Sequence, residues 1–233
     1  MPNERKKILV IDVGGSNIKM MISQEEKRRK FPSGPKIGPE EAVEQIKETT
    51  SDWSFDAVAI GFPAPVREGK IMSDPKHLGK GWAGFDFAKA LGKPVRVIND
   101  AALQALGSYH GGGRMLFLGL GTGLGSALVW KNHVLPLEFG DLPFGEGIIE
   151  DWLGDGGLQH LGKKDWQRET VDAIKQLKRA VIADYVVLGG GNAKIFEELP
   201  DGFELGSNRN AYPGGVRLWE TDPETKRPRW RIM

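Results

Sequence analysis

Residues 119–126, with the sequence GLGTGLGS, have the composition of a phosphate-binding turn. Glycine at every second position exposes backbone N–H groups that can converge on an anion. The dinucleotide-binding fingerprint does not fit this spacing, and a strand pattern (SALVW) follows where that motif needs a helix. A P-loop is also excluded, because no Gly-Lys pair of the chain is followed by Ser or Thr. The simpler interpretation is a tight hairpin, but hairpins need only one or two glycines, so we favour phosphate binding.

A second candidate turn, residues 12–19 (DVGGSNIK), follows directly on an apolar run. Asp12 at the end of that predicted strand can hold Mg²⁺ through water, because hard cations prefer carboxylate oxygen. Further hydrogen-bond donors and positive charge come from Gly14, Gly15, Ser16 and Lys19. The alternative is an ordinary hairpin in which Asp12 caps its own turn. Since the chain carries two such glycine turns, we favour a phosphate and metal site here as well.

Asn99 and Asp100 stand between a predicted strand and a predicted helix. Asn and Asp are favoured N-cap residues, so capping is the simplest explanation for both. The same pair could instead bind a substrate, with Asp100 accepting the proton of a hydroxyl and Asn99 holding a neighbouring hydroxyl. The two roles are compatible, because a helix N-terminus also favours the ionised carboxylate.

Composition excludes several classes of protein. The formal net charge of +1 gives no reason to expect a nucleic-acid partner. The absence of cysteine excludes disulfides and thiolate zinc sites, and the four histidines show no metal-binding spacing. No apolar run approaches the ~20 residues that span a bilayer. We therefore expect a cytoplasmic protein without zinc, nucleic acid or membrane among its partners.

Hydrophobic patterning predicts an α/β fold built from short strands and amphipathic helices. The predicted strands span residues 8–13, 18–22, 57–60, 95–98, 115–120, 127–130 and 185–188. The predicted helices span residues 40–50, 85–91, 101–106, 166–181 and 193–199. The tail after residue 220 is polar, and we expect it to be loosely held apart from Trp230.

The strand–glycine turn–strand unit that opens the chain recurs at residues 115–130. Such a recurrence suggests two related lobes that face one another across a ligand cleft. We place the N-terminal lobe at residues 1–98, the C-terminal lobe at residues 99–219 and the tail at residues 220–233. The basic run at residues 27–30 is interpreted as a solvated hairpin tip and not as a track for a polyanion.

The order of these motifs resembles the ROK family of sugar kinases, whose fold is the two-lobed, actin-like (ribonuclease H-like) ATPase fold. The resemblance extends from residue 8 to about residue 219. The matching segments are IDVGGSNIK, GFPAPV, VINDAA, LGTGLGSAL, LEFGD and VVLGGGNAK. The stretches EDWLGDGGLQHLGKKDW and SNRNAYPGGVRLW are most similar to the polyphosphate glucokinase branch of that family.

The resemblance implies a role for each matching segment. Asp100 would be the general base that activates a sugar hydroxyl, with Mg²⁺ at Asp12 and ATP or polyphosphate as donor. The implied substrate-binding residues are Asn99, Glu138, Asp141, His77, Gly61 and Pro63. The implied phosphate- and donor-binding residues are Asp12, Gly14, Gly15, Ser16, Lys19, Gly121, Thr122, Gly123, Gly189, Gly190 and Gly191. A homodimer is compatible with the resemblance, since related kinases are often dimers.

Two positions depart from the family pattern at the sugar end of the site. Asp141 stands where the family has histidine, and His77 stands where asparagine is usual. Buried hydroxyl recognition depends on single hydrogen bonds, so the acceptor sugar need not be glucose. A sugar- or nucleotide-binding protein that has lost catalysis and a kinase for a non-sugar acceptor are alternatives. A repressor of the same family is disfavoured, because the predicted first strand leaves no room for a helix-turn-helix before residue 8.

Overall fold

The computed structural model describes residues 6–25 and 27–233, and strands and helices are interspersed along them. The strands of the first half are β1 (Ile8–Val13), β2 (Asn17–Ile22), β3 (Arg28–Pro32), β4 (Ala57–Phe62), β5 (Val66–Arg67), β6 (Lys70–Ile71) and β7 (Val95–Asn99). The strands of the second half are β8 (Met115–Leu120), β9 (Leu124–Trp130), β10 (His133–Leu137), β11 (Pro143–Phe144), β12 (Gly147–Ile148), β13 (Tyr185–Gly189), β14 (Phe203–Leu205) and β15 (Arg231–Ile232). The helices are α1 (Pro39–Thr49), α2 (Phe87–Leu91), α3 (Asp100–Ser108), α4 (Ile149–Leu153), α5 (Asp155–Ala180) and α6 (Ala211–Arg217).

The first sheet has the strand order β3-β2-β1-β4-β7. Its central strand β1 is apolar except for Asp12 and is buried along its whole length, as a strand covered on both faces must be. It pairs antiparallel with β2 through the first glycine turn and parallel with β4. One face of the sheet packs with α1 and α2 in a core that includes Ile46, Trp82 and Phe87. The other face is turned toward the second half of the chain.

The second sheet repeats this arrangement. Its order is β14-β13-β8-β9-β10-β15, in which β8 pairs antiparallel with β9 and parallel with β13. The run β10-β9-β8-β13-β14 therefore corresponds to β3-β2-β1-β4-β7, strand for strand. The predicted duplication of the strand–glycine turn–strand unit is confirmed, and each copy brings its glycine turn to the carboxyl end of its central strand.

Helices α3 and α6 lie between the two sheets. Their shared core contains Val10 of the first sheet and Phe117 of the second. The two helices cross at glycine, because a Cβ atom on Gly214 would overlap the carbonyl oxygen of Leu103 in α3. Helix α6 also packs against β1 and β4, so it contacts the first sheet although it follows the second in sequence. The division into lobes at residues 98 and 99 stays a prediction.

Several segments differ from the sequence prediction. Residues 28–30, predicted as a hairpin tip, lie in strand β3. The segment 193–199, predicted as a helix, contains only the short 3₁₀ helix Asn192–Ile195. Pro200 disfavours helical backbone geometry in the residue that precedes it. Helix α5 begins eleven residues earlier than predicted and is interrupted at Gly162, where φ is +75°.

The tail is also ordered, contrary to expectation. Strand β15 adds to the second sheet beside β10, and Trp230 is buried at 9% exposure. No helix in residues 6–25 or 27–233 is long and apolar enough to cross a membrane.

Candidate active site

A cleft of about 800 Å³ has walls from both halves of the chain. It collects most of the predicted site residues, which are Gly14, Gly15, Ser16, Pro63, His77, Asn99, Asp100, Gly121, Thr122, Gly123, Glu138, Asp141 and Gly190. The two glycine turns therefore face one space, as the sequence predicts for opposing phosphate-binding hairpins.

The first glycine turn is anchored by a pair of charges on β1 and β2. Asp12 and Lys19 are opposite one another in the antiparallel register, and Lys19 Nζ lies 3.5 Å from Asp12 Oδ2. Burial raises the pKa of Asp12, although the charge of Lys19 offsets part of that effect. Within residues 6–25 and 27–233, the Asp12 carboxylate accepts a hydrogen bond from Lys19 Nζ and none from the backbone of its own turn. Lys19 is a single cation at 3.5 Å from a buried carboxylate. A second positive charge beside Asp12 would stabilise its ionised form further.

Asn99 and Asp100 combine helix capping with exposure to the cleft. Asn99 Oδ1 accepts a hydrogen bond from the backbone N–H of Ala102 at 3.1 Å, which caps α3. Asp100 Oδ1 accepts from the N–H of Ala101 at 2.8 Å. Burial, followed by the negative charge of Asp12, raises the pKa of Asp100 to about 7. Asp100 is thus a carboxylate poised to exchange a proton near neutral pH.

Glu138 enters the cleft from the segment after β10. Ser126, fully buried in β9, holds that segment in place: its Oγ donates to the carbonyl of Leu137 at 2.8 Å and accepts from the N–H of Phe139 at 3.0 Å. Burial raises the pKa of Glu138, and the neighbouring charge of Asp141 raises it further. Ser126 is a positioning residue that sequence reasoning missed, although a polar residue in an apolar strand pattern is a usable signal.

Lys76 and Glu150 also line the cleft and were not predicted. Lys76 Nζ lies 3.6 Å from Asp141 Oδ1 and forms an ion pair with Glu150. The Glu150 carboxylate lies against the second glycine turn, since a Cβ atom on Gly123 would be 2.5 Å from Glu150 Oε2. Lys76 lies in the loop after β6 in the first half of the chain, and both acidic residues lie after β10 in the second half, so this cluster bridges the mouth of the cleft.

The loop that carries Lys76 and His77 is fixed by Asp74. Its carboxylate accepts hydrogen bonds of 2.7–3.2 Å from the backbone N–H groups of residues 81–83, which lower the pKa of Asp74. His77 lies against the first glycine turn, because a Cβ atom on Gly15 would be 3.0 Å from His77 Cβ. Asp74 therefore positions a wall of the cleft through backbone contacts.

Five predicted residues are not among the described residues that line the cleft: Asp12, Lys19, Gly61, Gly189 and Gly191. Gly61 lies beneath the catalytic segment, where a Cβ atom would be 3.3 Å from the Cα of Asp100 and closer still to the Leu103 side chain. Its position therefore requires close packing without a side chain, and the substrate contact predicted for Gly61 stays a prediction. Gly190 carries the third glycine turn to the cleft with a φ of +83°.

Two sheets that share a five-strand order, each presenting a glycine hairpin to a common cleft, define the two-lobed, actin-like ATPase fold. Within that class the chain belongs to the ROK family, whose family model matches residues 8–140. The family and fold predicted from the motif order are confirmed.

Named relatives come from both sequence and structure comparison. A polyphosphate glucokinase of Mycobacterium tuberculosis is 24% identical over 205 residues, covering 78% of this chain and 76% of the relative. The crystal structure of inorganic polyphosphate/ATP-glucomannokinase from Arthrobacter sp. strain KM matches with a TM-score of 0.78 and 22% identity, covering 91% of this chain and 97% of that chain. A ROK family glucokinase from Streptomyces griseus, solved with glucose and AMPPNP, has a TM-score of 0.65 and 18% identity over 91% of this chain and 98% of that chain.

Proposed function

We propose that this chain is a sugar kinase that transfers a phosphoryl group from ATP or polyphosphate to a hydroxyl of a hexose. The observation that carries the proposal is Asp100, a carboxylate with a pKa of about 7 in a cleft bounded by two glycine hairpins. Relatives named polyphosphate glucokinase and glucokinase support the same class, a phosphotransferase with an alcohol acceptor. A binding protein without catalysis has no comparable observation in its favour.

Proton transfer is assigned to Asp100. Its carboxylate takes the proton of the attacking hydroxyl, and a pKa near the working pH suits a general base. Asn99 caps α3 through its side-chain oxygen, which leaves its amide N–H groups for a neighbouring sugar hydroxyl. The same short segment therefore orients the acceptor and activates it.

Phosphate binding is assigned to the facing glycine turns, with Lys19 and Asp12 behind the first. Mg²⁺ is usually held by one or two carboxylates, with water and substrate phosphate completing its shell. Asp12 fits that role, because it is buried and, among residues 6–25 and 27–233, pairs only with Lys19. The described residues contain no group of three or more acidic or histidine side chains that could enclose a metal. When bound, the ion would neutralise charge on the transferred phosphate.

Sugar binding is assigned to the acidic mouth of the cleft. Glu138 accepts hydroxyl hydrogen bonds, and Asp141 stands beside it in place of the family histidine. Lys76 compensates part of this added negative charge through its contact with Asp141. Because Asp141 and His77 stand where the family has histidine and asparagine, the preferred hexose is a separate question from the reaction.

The base assignment is tested by Asp100→Asn. We expect turnover to fall on the order of 10³-fold with the fold retained, since a positioned base contributes about that factor. Asp86→Asn is the matched control, because Asp86 is an N-cap outside the cleft whose capping oxygen asparagine retains. Near-normal kinase activity in Asp100→Asn would remove Asp100 as the base.

The reaction itself is tested by a matrix of hexoses against ATP and polyphosphate, scored by formation of sugar phosphate. Product in any combination supports the proposal. If no combination gives product while glucose still raises Tm, the chain is a binding protein. The predicted homodimer is tested on the same preparation by light scattering, and a cytoplasmic location stays a prediction.

A further inference from the structure

Gln104 is a polar residue of the cleft that lies in α3, four positions after Asp100. Residues four apart on a helix lie on the same face, one turn from each other. Both residues line the cleft, so the carboxamide of Gln104 lies one helical turn beyond the carboxylate assigned as the base.

The carboxamide of Gln104 is unsatisfied. Its Oε1 atom is buried and has no hydrogen-bond partner among residues 6–25 and 27–233. Its Nε2 atom also has no partner in those ranges, but it is not buried. The other described residues with a buried, unpartnered side-chain atom lie outside the cleft lining; they are Trp53, Trp82, Trp166 and Thr170. Because an unsatisfied buried polar group destabilises a fold, its presence in the cleft points to a role in binding.

Gln104 lies between Asp100 and the third glycine turn. A Cβ atom on Gly189 would be 3.5 Å from Gln104 Oε1, and Gly190, the next residue, lines the same cleft. Gly189 pairs with Gly119 at the end of β8, so the carboxamide is close to the start of both glycine turns of the second sheet. A ligand that extends from the transfer site to the third glycine turn therefore passes Gln104.

We propose that Gln104 donates a hydrogen bond from Nε2 to the leaving phosphate, the unit of the donor that is bonded to the transferred phosphoryl group. This inference rests on the proposed kinase function, to which it adds a residue for the departing part of the donor. As the hydroxyl oxygen bonds to phosphorus, the bond to the leaving phosphate breaks and its electron pair stays on that phosphate, while the hydroxyl proton goes to Asp100. A fixed donor aimed at this growing negative charge stabilises the transition state.

An amide fits this position better than a charged group does. A lysine or arginine one helical turn from Asp100 would favour the ionised carboxylate and make it a weaker base. The amide group donates to a phosphate oxygen without adding charge. Gln104 can therefore hold the leaving phosphate and leave the proton affinity of Asp100 unchanged.

The contact is tested by Gln104→Met, which keeps the length of the side chain and removes both hydrogen-bonding atoms. We expect kcat to fall on the order of 10²-fold with ATP and with polyphosphate, because both donors have a leaving phosphate. The KM for the hexose should stay unchanged. The Tm of the ligand-free variant should stay equal or rise, since an unsatisfied buried oxygen is removed. Gln45→Met is the matched control, because Gln45 lies in α1 outside the cleft lining and should leave kcat unchanged.

Gln104→Glu tests the proximity of this side chain to Asp100. The added carboxylate should raise the pKa of Asp100, so the acidic limb of the pH profile of kcat should move to higher pH. A residue that only fills space away from the reacting groups would leave that limb in place. An unmoved acidic limb would overturn the inference.

Donor binding is measured without turnover by calorimetric titration of AMPPNP and of tripolyphosphate in the absence of sugar. Gln104→Met should weaken each probe that binds the wild-type chain by about tenfold, as expected for losing one hydrogen bond to a charged group. Unchanged affinity with a lower Tm would show a structural role, and a normal kcat would show no contact with the leaving phosphate; either result overturns the inference. Binding of neither probe to the wild-type chain would overturn it as well. Probe binding without sugar phosphate from either donor would overturn the proposed function alone.

Discussion

The ionised Asp100 carboxylate destabilises the fold that positions it. Burial and the charge of Asp12 raise its pKa from 3.8 to about 7. Because the folded pKa lies above the unfolded one, the cost is absent below about pH 4, grows as pH rises and is complete above about pH 7. Each pKa unit corresponds to about 1.4 kcal/mol, so ionisation costs a few kcal/mol at alkaline pH.

Asp100→Asn should therefore raise Tm in metal-chelating buffer by several degrees near pH 8, where the wild-type carboxylate is charged. Near pH 3 the two proteins should melt at almost the same temperature, since Asp100 is then mostly protonated in both the folded and the unfolded state. Calorimetry at the two pH values provides the measurement. An equal increase in Tm at both pH values would show that ionisation of Asp100 does not lower the stability of the fold.

At the residue scale, the sequence located the cleft residues best where they are neighbours in the chain. Asn99 and Asp100 are adjacent and each glycine turn is one short segment, and all of them line the cleft, whereas their roles stay predictions. Lys76 and Glu150 are 74 residues apart and meet only through the packing of the two sheets. No pattern around either position indicates that contact. Sequence spacing cannot show charge pairs that tertiary structure creates.

At the element scale, the central strands were predicted well and the tail was not. The strands carry continuous apolar runs, whereas β15 has only two residues and no pattern of its own. Strand β15 is held in place by pairing with the edge strand β10. Trp230 also holds the tail, because its ring packs edge-on against Tyr109 with 6.0 Å between the ring centres. An available sheet edge, unseen in the sequence, therefore decides whether the tail is ordered.

Trp230→Ala should destabilise the protein by roughly 3–5 kcal/mol, as expected for truncating a buried aromatic side chain. The indole also donates from Nε1 to Glu220 Oε2 at 3.1 Å, so the variant loses a hydrogen bond as well. Urea unfolding measures the effect, with Trp130→Ala as control, because Trp130 is 42% exposed and should cost much less. Equal losses of unfolding free energy for the two variants would mean that the tail is as loosely held as its composition suggests.

At the scale of the whole molecule, the crossing of α3 and α6 joins the lobes. Gly214→Ala would drive a methyl group into the backbone carbonyl of Leu103, which no side-chain rotation can relieve. We expect a loss of stability of roughly 1–3 kcal/mol or more, the range for overpacking. Gly156→Ala in α5 is the control, since it meets only ordinary contact and removes a helix-disfavouring glycine. Equal melting temperatures for the two variants would contradict a close crossing.

The ionic cluster at the cleft mouth couples the lobes electrostatically. Glu138 and Asp141 lie directly after β10 of the second sheet, whereas Lys76 comes from the loop after β6. Burial and then Asp141 raise the pKa of Glu138, while Lys76 lowers it. Lys76 and Asp141 are each 62% exposed, so the pair adds little stability and acts chiefly on the charge state of Glu138.

Lys76→Met should therefore raise the pKa of Glu138, and Asp141→Asn should lower it. Carbon-detected NMR of the Glu138 carboxyl group measures both changes, in an Asp100→Asn background so that Asp100 does not titrate in the same window. The double variant should titrate between the two single variants, because the charges it removes act in opposite directions. High salt should shrink both changes, since the two charges are exposed.

The Asp141 effect arises within one lobe and does not depend on closure, so it serves as the internal control. If Asp141→Asn moves the titration and Lys76→Met does not, the two lobes stand farther apart in solution than the ionic cluster requires.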